Sequence, residues 1–476
     1  MSVGTLIQAI NRRESRSKKP RSPRSAKQLL RFEKTIVALV ILGLLLSFFI
    51  NKLIILGING ISLLLAYGFM VIAVHILVFS VSIFGYRDLA TKGKSLSRYS
   101  KKELPLVSCM VSVHNEEAFV EKCLDSIFHQ SYKQIEVIVV DDASTDETMK
   151  VLRAYKKNHQ QSLRIISLKK NVGKKAALCI AMEKAKGTIF AHTDSDSVWE
   201  RAAISRVVRI FINNPNIGAV SGHGRANNAS TNMLTKVQDA WMEGQFSIRK
   251  AFESTFGAVT CVSGPLAVYR KEAVYNFLPV WRDDKFLGTE FRFATDRTLT
   301  AIILGAPWLH KKTMAKYPDS TFTKVVYQAR QWKVVYSRSA RSRTNVPPTF
   351  RKFLKQQIRW KKSFIRNVFF NVPFFWRKPL PVAIVYYVHI LFVVCAPLIA
   401  TRIFLLPHER HLQVIVTYLL SVLVIGSMFA LLLRFEDRKC QYWYYRPLMS
   451  IFSAIFLCWV IIYSALTVKN MSWHRG

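Results

Sequence analysis

The chain is short of acid. Only 29 Asp and Glu stand against 69 Lys and Arg in 476 residues, a formal net charge of +40. In a soluble protein so basic a balance would suggest nucleic acid as partner, but here much of the excess lies beside apolar segments. Arg12, Arg13, Arg16, Lys18, Lys19, Arg21, Arg24 and Lys27 precede the first apolar run, and Lys92, Lys94, Arg98, Lys101 and Lys102 follow the second. Membrane lipid with anionic headgroups is therefore the expected partner of these charges, and no nucleic acid is expected. Cysteine is scarce as well. Cys109, Cys123, Cys179, Cys261, Cys395, Cys440 and Cys458 are scattered without C-x-x-C spacing, which argues against a zinc site or a disulfide frame and for reduced thiols. No histidine or cysteine cluster competes as a metal site. Repeats and long low-complexity stretches are absent, apart from a Ser/Arg/Lys-rich leader to about Lys27 that is expected to be disordered. No small-residue cleavage pattern follows the basic start, which argues against a cleaved signal peptide.

What the chain has in quantity is apolar residues, 50% of the total, and they are clustered. Runs at 35–50, 61–86, 380–406, 412–433 and 447–468 each approach the roughly 20 residues that cross a bilayer core. The first is the weakest, because Asn51 and Lys52 interrupt it unless 53–58 completes the span. The flanking basic residues place the N-terminus and everything after Tyr86 in the cytosol by the positive-inside rule. The expected organisation is a basic leader at 1–34, two spans within 35–86, a soluble domain at 104–345, a membrane-surface segment at 346–378, C-terminal spans within 380–468 and a tail at 469–476. Three spans after the domain would leave the C-terminus outside.

Within the soluble region, apolar runs at 106–113, 135–140, 163–168, 188–192 and 217–221 alternate with helical stretches, and each ends in a polar or acidic turn. That alternation predicts a mostly parallel α/β sheet whose ligand crevice lies at the carboxyl ends of the strands. From 347 to 376, aromatic and apolar residues interleave with Arg351, Lys352, Lys355, Arg359, Lys361, Lys362 and Arg366. A basic amphipathic stretch before a span suits helices lying in the headgroup plane.

The chemistry-bearing residues sit at the strand ends. The first strand runs into Asn115 and Glu116, and the second into Asp141-Asp142-Ala143-Ser144-Thr145-Asp146. Carboxylates and an amide there could bind a nucleoside through base and ribose; the same residues could equally form a turn and a helix cap. Asn171-Val172-Gly173-Lys174 is a Gly-Lys turn opening a helix, where Lys174 could meet a phosphate. The fourth strand ends in Asp194-Ser195-Asp196. Two carboxylates with substrate phosphates form a favoured site for Mg²⁺ or Mn²⁺, with Asp196 as the metal acid.

Here the sequence resembles the family-2 glycosyltransferases, and further segments resemble the hyaluronan synthase group within it. Cys261-Val262-Ser263-Gly264-Pro265-Leu266-Ala267-Val268-Tyr269-Arg270 is similar to that group's Cys-x-Ser-Gly-Pro-Leu-x-x-Tyr-Arg. Lys285-Phe286-Leu287-Gly288-Thr289 and Asp296-Arg297-Thr298-Leu299-Thr300 resemble its Lys-Phe-Leu-Gly-Thr and Gly-Asp-Asp-Arg-x-Leu-Thr segments. Gln356-Gln357-Ile358-Arg359-Trp360-Lys361-Lys362-Ser363 resembles its Gln-Gln-x-Arg-Trp-x-Lys-Ser. One departure is plain: the acid before the last one in the third motif is Thr295 here.

The resemblance implies a GT-A-type, Rossmann-like α/β catalytic domain in the cytosol, inserted between N- and C-terminal transmembrane helices of the plasma membrane. It implies UDP-sugar donors, a growing polysaccharide acceptor, inversion at the anomeric carbon and export of the polymer by the same chain. UDP-GlcNAc and UDP-GlcA are the leading donors. A chitin or poly-GlcNAc synthase, a capsular glucose- or glucuronate-containing polysaccharide synthase and a non-processive lipid-carrier transferase are the alternatives. Asp142 corresponds to the uridine-contacting acid with Asn115 or Glu116 near it, Asp194 and Asp196 to the nucleotide and metal acids, and Asp296 to the base that deprotonates the acceptor. Arg359 would face the diphosphate and Trp360 would stack on the acceptor sugar. Ser263, Gly264, Pro265, Arg297, Gln356 and Gln357 complete the expected substrate contacts. His75, His389, Tyr386 and Tyr387, polar groups inside spans, are expected to pack neutrally or to line a polar path.

Overall fold

The structure is a computed structural model that describes residues 62–159, 163–406, 411–437 and 440–471. The leader at 1–34 and the first expected span lie outside the described residues, as do 472–476 of the tail. The chain divides into two units, Met1–Ile72 and Ala73–Gly476. Of the first, only the start of the helix Ser62–Ser80 is described; the second holds the sheet, the site and the C-terminal helices.

The sheet is mixed and eight-stranded. Its strands are β1 Val107–Val113, β2 Ile135–Asp141, β3 Leu163–Ser167, β4 Ile189–Thr193, β5 Val198–Trp199, β6 Ile217–Ala226, β7 Ala267–Arg270 and β10 Lys333–Thr344, in the order β3-β2-β1-β4-β7-β6-β10-β5. A separate hairpin pairs β8 Lys285–Phe286 with β9 Thr289–Glu290. Strands β1 to β4 pair in parallel, with Val107 opposite both Ile135 and Ile189. Strands β1 and β4 are buried along almost their whole length, Ser108, His192 and Thr193 included, as in the interior of a sheet covered on both faces. The helices Val120–Phe128 and Ala203–Asn213 present apolar stripes to this core, where Val107, Val111, Leu124, Val139, Ile204 and Val208 are wholly buried.

The sheet is less parallel than the sequence predicts. β7 runs antiparallel to both β4 and β6, and β5 antiparallel to β10. Strand β6 extends to Ala226, five residues beyond its apolar run, because its distal half pairs with β10 through Arg343 and Thr344. Strand β10 itself, Lys-Val-Val-Tyr-Ser-Arg-Ser-Ala-Arg-Ser-Arg-Thr, has too few apolar residues to read as a sheet strand. Its arginines are instead paired, Arg338 with Glu436 and Arg341 with Asp437 at 3.2 Å. These acids end and follow the helix His411–Glu436 and tie it to the sheet.

Among the described residues, three helices are long and apolar enough to cross a membrane, Tyr67–Arg98, Leu380–Leu405 and His411–Glu436. The single span expected at 447–468 is instead a broken pair, Trp443–Leu457 and Val460–Leu466, bent by 47°. Ahead of them runs one continuous helix, Phe350–Phe375, capped by the Thr349 hydroxyl. Its burial is mixed: Gln357, Ser363, Arg366, Asn367 and Asn371 are buried together with Phe353, Phe374 and Phe375, while Phe350 and Phe369, and Trp376 just past its end, are exposed. Buried polar residues and exposed aromatics suit a helix whose outer face meets lipid headgroups.

Candidate active site

At the carboxyl ends of β1, β4 and β10 opens a cavity of about 670 Å³. The turns that build it are held by their own backbones. Asn115 takes a left-handed φ of 57°, its N–H donating to Ser144 Oγ at 3.0 Å and its Oδ1 accepting from Thr145 N–H at 2.8 Å. Asparagine tolerates that conformation because its short amide satisfies the neighbouring backbone. Glu116 N–H donates to Thr148 Oγ1 at 2.8 Å, and both Asn115 and Glu116 face the cavity.

Asp142 is placed differently from the role that the resemblance implies. Its carboxylate accepts from Val172 N–H at 2.7 Å and Gly173 N–H at 2.9 Å, and it is not among the cavity's lining residues. It latches the Gly-Lys turn from below, and the left-handed Gly173, at a φ of 84°, lets that turn pass into the helix Lys174–Lys184. Lys174 then emerges into the cavity and pairs with Asp194. Burial lowers the Lys174 pKa, but Asp194 more than offsets it and the ammonium is held above its ordinary range.

Asp194 and Asp196 both line the cavity. The Asp196 carboxyl is pushed up to about 6, first by burial and then by the Asp194 charge, with Thr344 donating to its Oδ1 at 3.1 Å. Two carboxylates under mutual repulsion in a half-dry turn are what a divalent cation relieves. No group of three His, Cys, Asp or Glu among the described residues could hold an ion by itself, so a cation here would take its other oxygens from substrate. Gly264 packs directly on Asp194: a Cβ at that position would lie 2.6 Å from Asp194 Oδ2.

Asp296 lines the same cavity from the first turn of the helix Thr295–Leu304, after the left-handed Ala294. Its Oδ1 accepts from Arg297 N–H at 3.0 Å and its Oδ2 from Gly264 N–H at 3.2 Å, with Cys261 Sγ 3.6 Å from Oδ2. The carboxylate is oriented by backbone amides while facing open space. Burial, then the Asp296 charge, pushes the Cys261 thiol up to about 12, so it stays protonated. Thr295 is buried and its carbonyl accepts from Trp281 Nε1 at 2.9 Å, which fixes the start of this helix.

The Phe350–Phe375 helix closes the cavity with Gln356, Gln357, Arg359 and Trp360. Burial lowers the Arg359 pKa, with Asp194 pulling the other way. Gln356 Oε1 and Gln357 Nε2 are buried with no hydrogen-bond partner. Trp360 stacks on Trp241 from the helix Met233–Gly244, ring centroids 5.6 Å apart and planes 19° from parallel. Ser263, Pro265 and Arg297 line the same space. Every expected site residue except Asp142 therefore faces one cavity.

Trp241, Lys250 and Thr344 also line the cavity, and no sequence pattern marks them. Lys250 is buried and donates to Ser221 Oγ at 2.9 Å and Ser263 Oγ at 2.5 Å, and burial pushes its ammonium down to about 8. No carboxylate or aspartate spacing marks it, since it reaches the site from a π-helical turn at Gln245–Lys250. His192 also lines the cavity; burial holds its pKa down to about 3, and it stacks on Tyr269 at 4.9 Å. Of the polar groups expected inside spans, His389 reaches the cavity and accepts from Arg249 at 3.0 Å. His75 packs edge-on to Phe79 and Phe429, Tyr386 stacks on Phe375, and the Tyr387 hydroxyl donates to the Val372 carbonyl at 2.9 Å. These three are not among the lining residues.

Comparison with known proteins bears on this geometry. Residues 108–278 match the family described as Glycosyl transferase family 2. The chain is similar to a hyaluronan synthase of Streptococcus pyogenes, 26% identical over 376 residues that cover 77% of this chain and 82% of that protein. It is also similar to an N-acetylglucosaminyltransferase of Rhizobium meliloti, 30% identical over 275 residues, 57% of this chain and 58% of that one. Among solved structures, a mannosyltransferase of Pyrobaculum calidifontis in complex with GDP-Man and Mn²⁺ aligns over 85% of this chain and 99% of its own, at 18% identity and a TM-score of 0.49.

Proposed function

Taking this chain as what its catalytic domain makes it, a family-2 glycosyltransferase, we propose that it polymerises UDP-sugars processively and passes the polymer across the plasma membrane. UDP-GlcNAc and UDP-GlcA are its proposed donors, and a hyaluronan-type chain its product. The observation that carries this reading is the single cavity that brings Asp194, Asp196, Arg359 and Asp296 together, with the Trp360–Trp241 stack lining the same space. Displacement at an activated anomeric carbon needs a base for the acceptor and charge stabilisation for the leaving group. This cavity offers both at once.

In this reading Asp296 accepts the proton of the acceptor hydroxyl, whose oxygen bonds to the donor's anomeric carbon as the bond to UDP breaks. A single displacement inverts an α-linked donor to a β-linkage. Lys174 and Arg359 stand where the diphosphate's charge would fall, and Asp194 and Asp196 are the residues that would hold Mg²⁺ or Mn²⁺. That ion would supply charge neutralisation for the departing UDP. Trp360 and Trp241 offer an aromatic face to an acceptor sugar, and the unpartnered amides of Gln356 and Gln357 offer it hydrogen bonds.

Export by the same chain is supported by continuity. The residues Gln356 to Trp360 stand on a helix with outward aromatics, followed directly by the candidate span Leu380–Leu405, whose His389 opens onto the cavity. The basic residues flanking the candidate spans favour a cytosolic catalytic domain. Similarity to a protein named N-acetylglucosaminyltransferase favours a second reading, a polymer or oligomer of GlcNAc alone.

One experiment tests the donors and export together. Purified protein in sealed vesicles, catalytic domain outward, is given radiolabelled UDP-sugars singly and in pairs. Polymer that forms only with UDP-GlcNAc and UDP-GlcA together, and that resists added hydrolase, supports the first reading. Polymer from UDP-GlcNAc alone moves the chain to the second, and product that is fully digestible removes export.

A further inference from the structure

Asp284 plays no part in the chemistry just described, yet it is buried and carries two cations. Lys175 Nζ donates to its Oδ2 at 2.7 Å, and Arg366 Nε donates to its Oδ1 at 3.1 Å, joined by Arg366 Nη2. The side chains are only 5%, 2% and 8% exposed for Lys175, Asp284 and Arg366. Burying three charges is costly unless their geometry is good, and removing one leaves the others unpaired. The trio is positioned so that such a loss would be felt at the site.

Each partner is bound to an element that enters the cavity. Lys175 follows Lys174, which pairs with Asp194, and the turn before it is latched by Asp142 through Val172 and Gly173. Lys175 also donates to the Phe291 carbonyl at 2.7 Å, at the far end of the β8–β9 hairpin. Arg366 lies seven residues after Arg359 on the Phe350–Phe375 helix, two turns along the same face. Asp284 itself accepts Phe291 N–H through its carbonyl at 2.8 Å, and three residues earlier Trp281 holds the start of the Asp296 helix through the Thr295 carbonyl.

We infer that Asp284 is a positioning residue for glycosyl transfer: it fixes the distance between the Lys174 turn and the Arg359 helix so that both cations meet one diphosphate. This rests on the reading that the Asp194 end of the cavity takes the diphosphate. Lys174 and Arg359 already converge there from separate elements, since Lys174 pairs with Asp194 and Asp194 is the charge acting on Arg359. Without the Asp284 carboxylate, Lys175 and Arg366 would repel across the gap it now bridges, and the two cations would no longer act on the ligand together.

The test is a set of UDP affinities measured on the full-length protein. Lys174→Gln and Arg359→Gln are made singly and together, in the parent and in Asp284→Asn. In the parent, residues acting on one ligand group are coupled, so the double variant should differ from the product of the single losses by about threefold or more. In Asp284→Asn the losses should multiply, and Asp284→Asn alone should weaken UDP by about threefold or more. Coupling that persists unchanged in Asp284→Asn overturns the inference while leaving the diphosphate reading intact. Single variants that bind UDP like the parent overturn both. A merely structural role would lower thermal stability without altering the coupling. If Asp284→Asn does not fold, Arg366→Lys keeps the charge but loses the second nitrogen contact and is read in the same way.

Discussion

The two sides of the cavity differ in how far their polar groups are tied to the protein's own backbone and charges. On the strand-end side, the turns are held by the protein itself, Asn115 by Ser144 and Thr145 and Lys174 by Asp194, with Asp142 outside the cavity latching the Lys174 turn through two amides; His192 Nε2 is buried there without a hydrogen-bond partner. On the membrane-facing side, Gln356 Oε1 and Gln357 Nε2 are buried without partners, and the Trp360–Trp241 pair exposes an aromatic face. Buried polar atoms without partners are costly, so a fold keeps them where something else will bind. The strand-end side is pre-organised for a ligand of fixed shape, the nucleotide. In the proposed reading, the helix side would be left open for a chain of repeating sugars that slips past it after each addition.

The sharpest way to break this comparison is Asp296→Asn, because Asp296 stands where the two sides meet. The amide preserves shape but cannot take a proton, so polymer synthesis should fall by about 10²–10⁴-fold, the usual contribution of a general base. UDP affinity should stay within about twofold of the parent, since the change leaves the strand-end side untouched. Polymer output within a few fold of the parent, measured by radiolabel incorporation, would remove Asp296 as the base.

A smaller effect is expected at the strand-end side itself. Asp196→Ala should weaken UDP binding by about 10–100-fold, in line with the loss of one charge-assisted contact. Removal of divalent ions by chelator should bring the parent to the same affinity and leave the variant nearly unchanged. Full activity of the parent in excess chelator counts against the metal assignment.

The same contrast explains what was legible in the sequence. Asp142, Asp194 and Asp196 stand out because strand-end turns concentrate acids after apolar runs, a local pattern that one-dimensional reading detects, whereas Asp296, in the first turn of a helix, stands out only through its motif's resemblance to a known family. Asp142 shows the limit of that reading, since its position was evident but its service to Val172 and Gly173 depends on a turn thirty residues away. Trp241 and Lys250 gave no signal because they enter the site from a helix and a π-helical turn whose own sequences have no catalytic pattern. Strand β10 was hidden for a third reason. Its arginines are neutralised by Glu436 and Asp437, nearly a hundred residues later, so its polarity was visible and its burial was not.

The helix side should respond more mildly and in a different variable. Trp241→Ala removes the ring that backs Trp360, and an aromatic pair is worth about 0.5–1.5 kcal/mol, or roughly 2–10-fold. That loss should fall on acceptor retention, so product should shorten on size-exclusion analysis while UDP affinity holds. Equal loss of UDP affinity would mean that the two sides are not separable in this way.

The smallest expected effect is a pH limb from Lys250. Burial pushes this ammonium down to about 8, against the opposing charges of Asp296 and Glu253 and with Arg297 adding to the depression. Because the folded-state value is lowered, the charged form dominates below about pH 8 and is lost as pH rises through it. Neutral Lys250 can still donate to Ser221 and Ser263, so kcat/KM should fall by only about 2–3-fold on the alkaline side, the size of one weakened neutral contact. Lys250→Arg, whose guanidinium stays charged, should move that limb above pH 10. Lys361 is also pushed down to about 8, by burial and then by Arg297 and Arg249, so Lys361→Arg is the control. A limb that follows Lys361 instead would place the titrating charge on the Phe350–Phe375 helix and leave Lys250 as a silent support of Ser263.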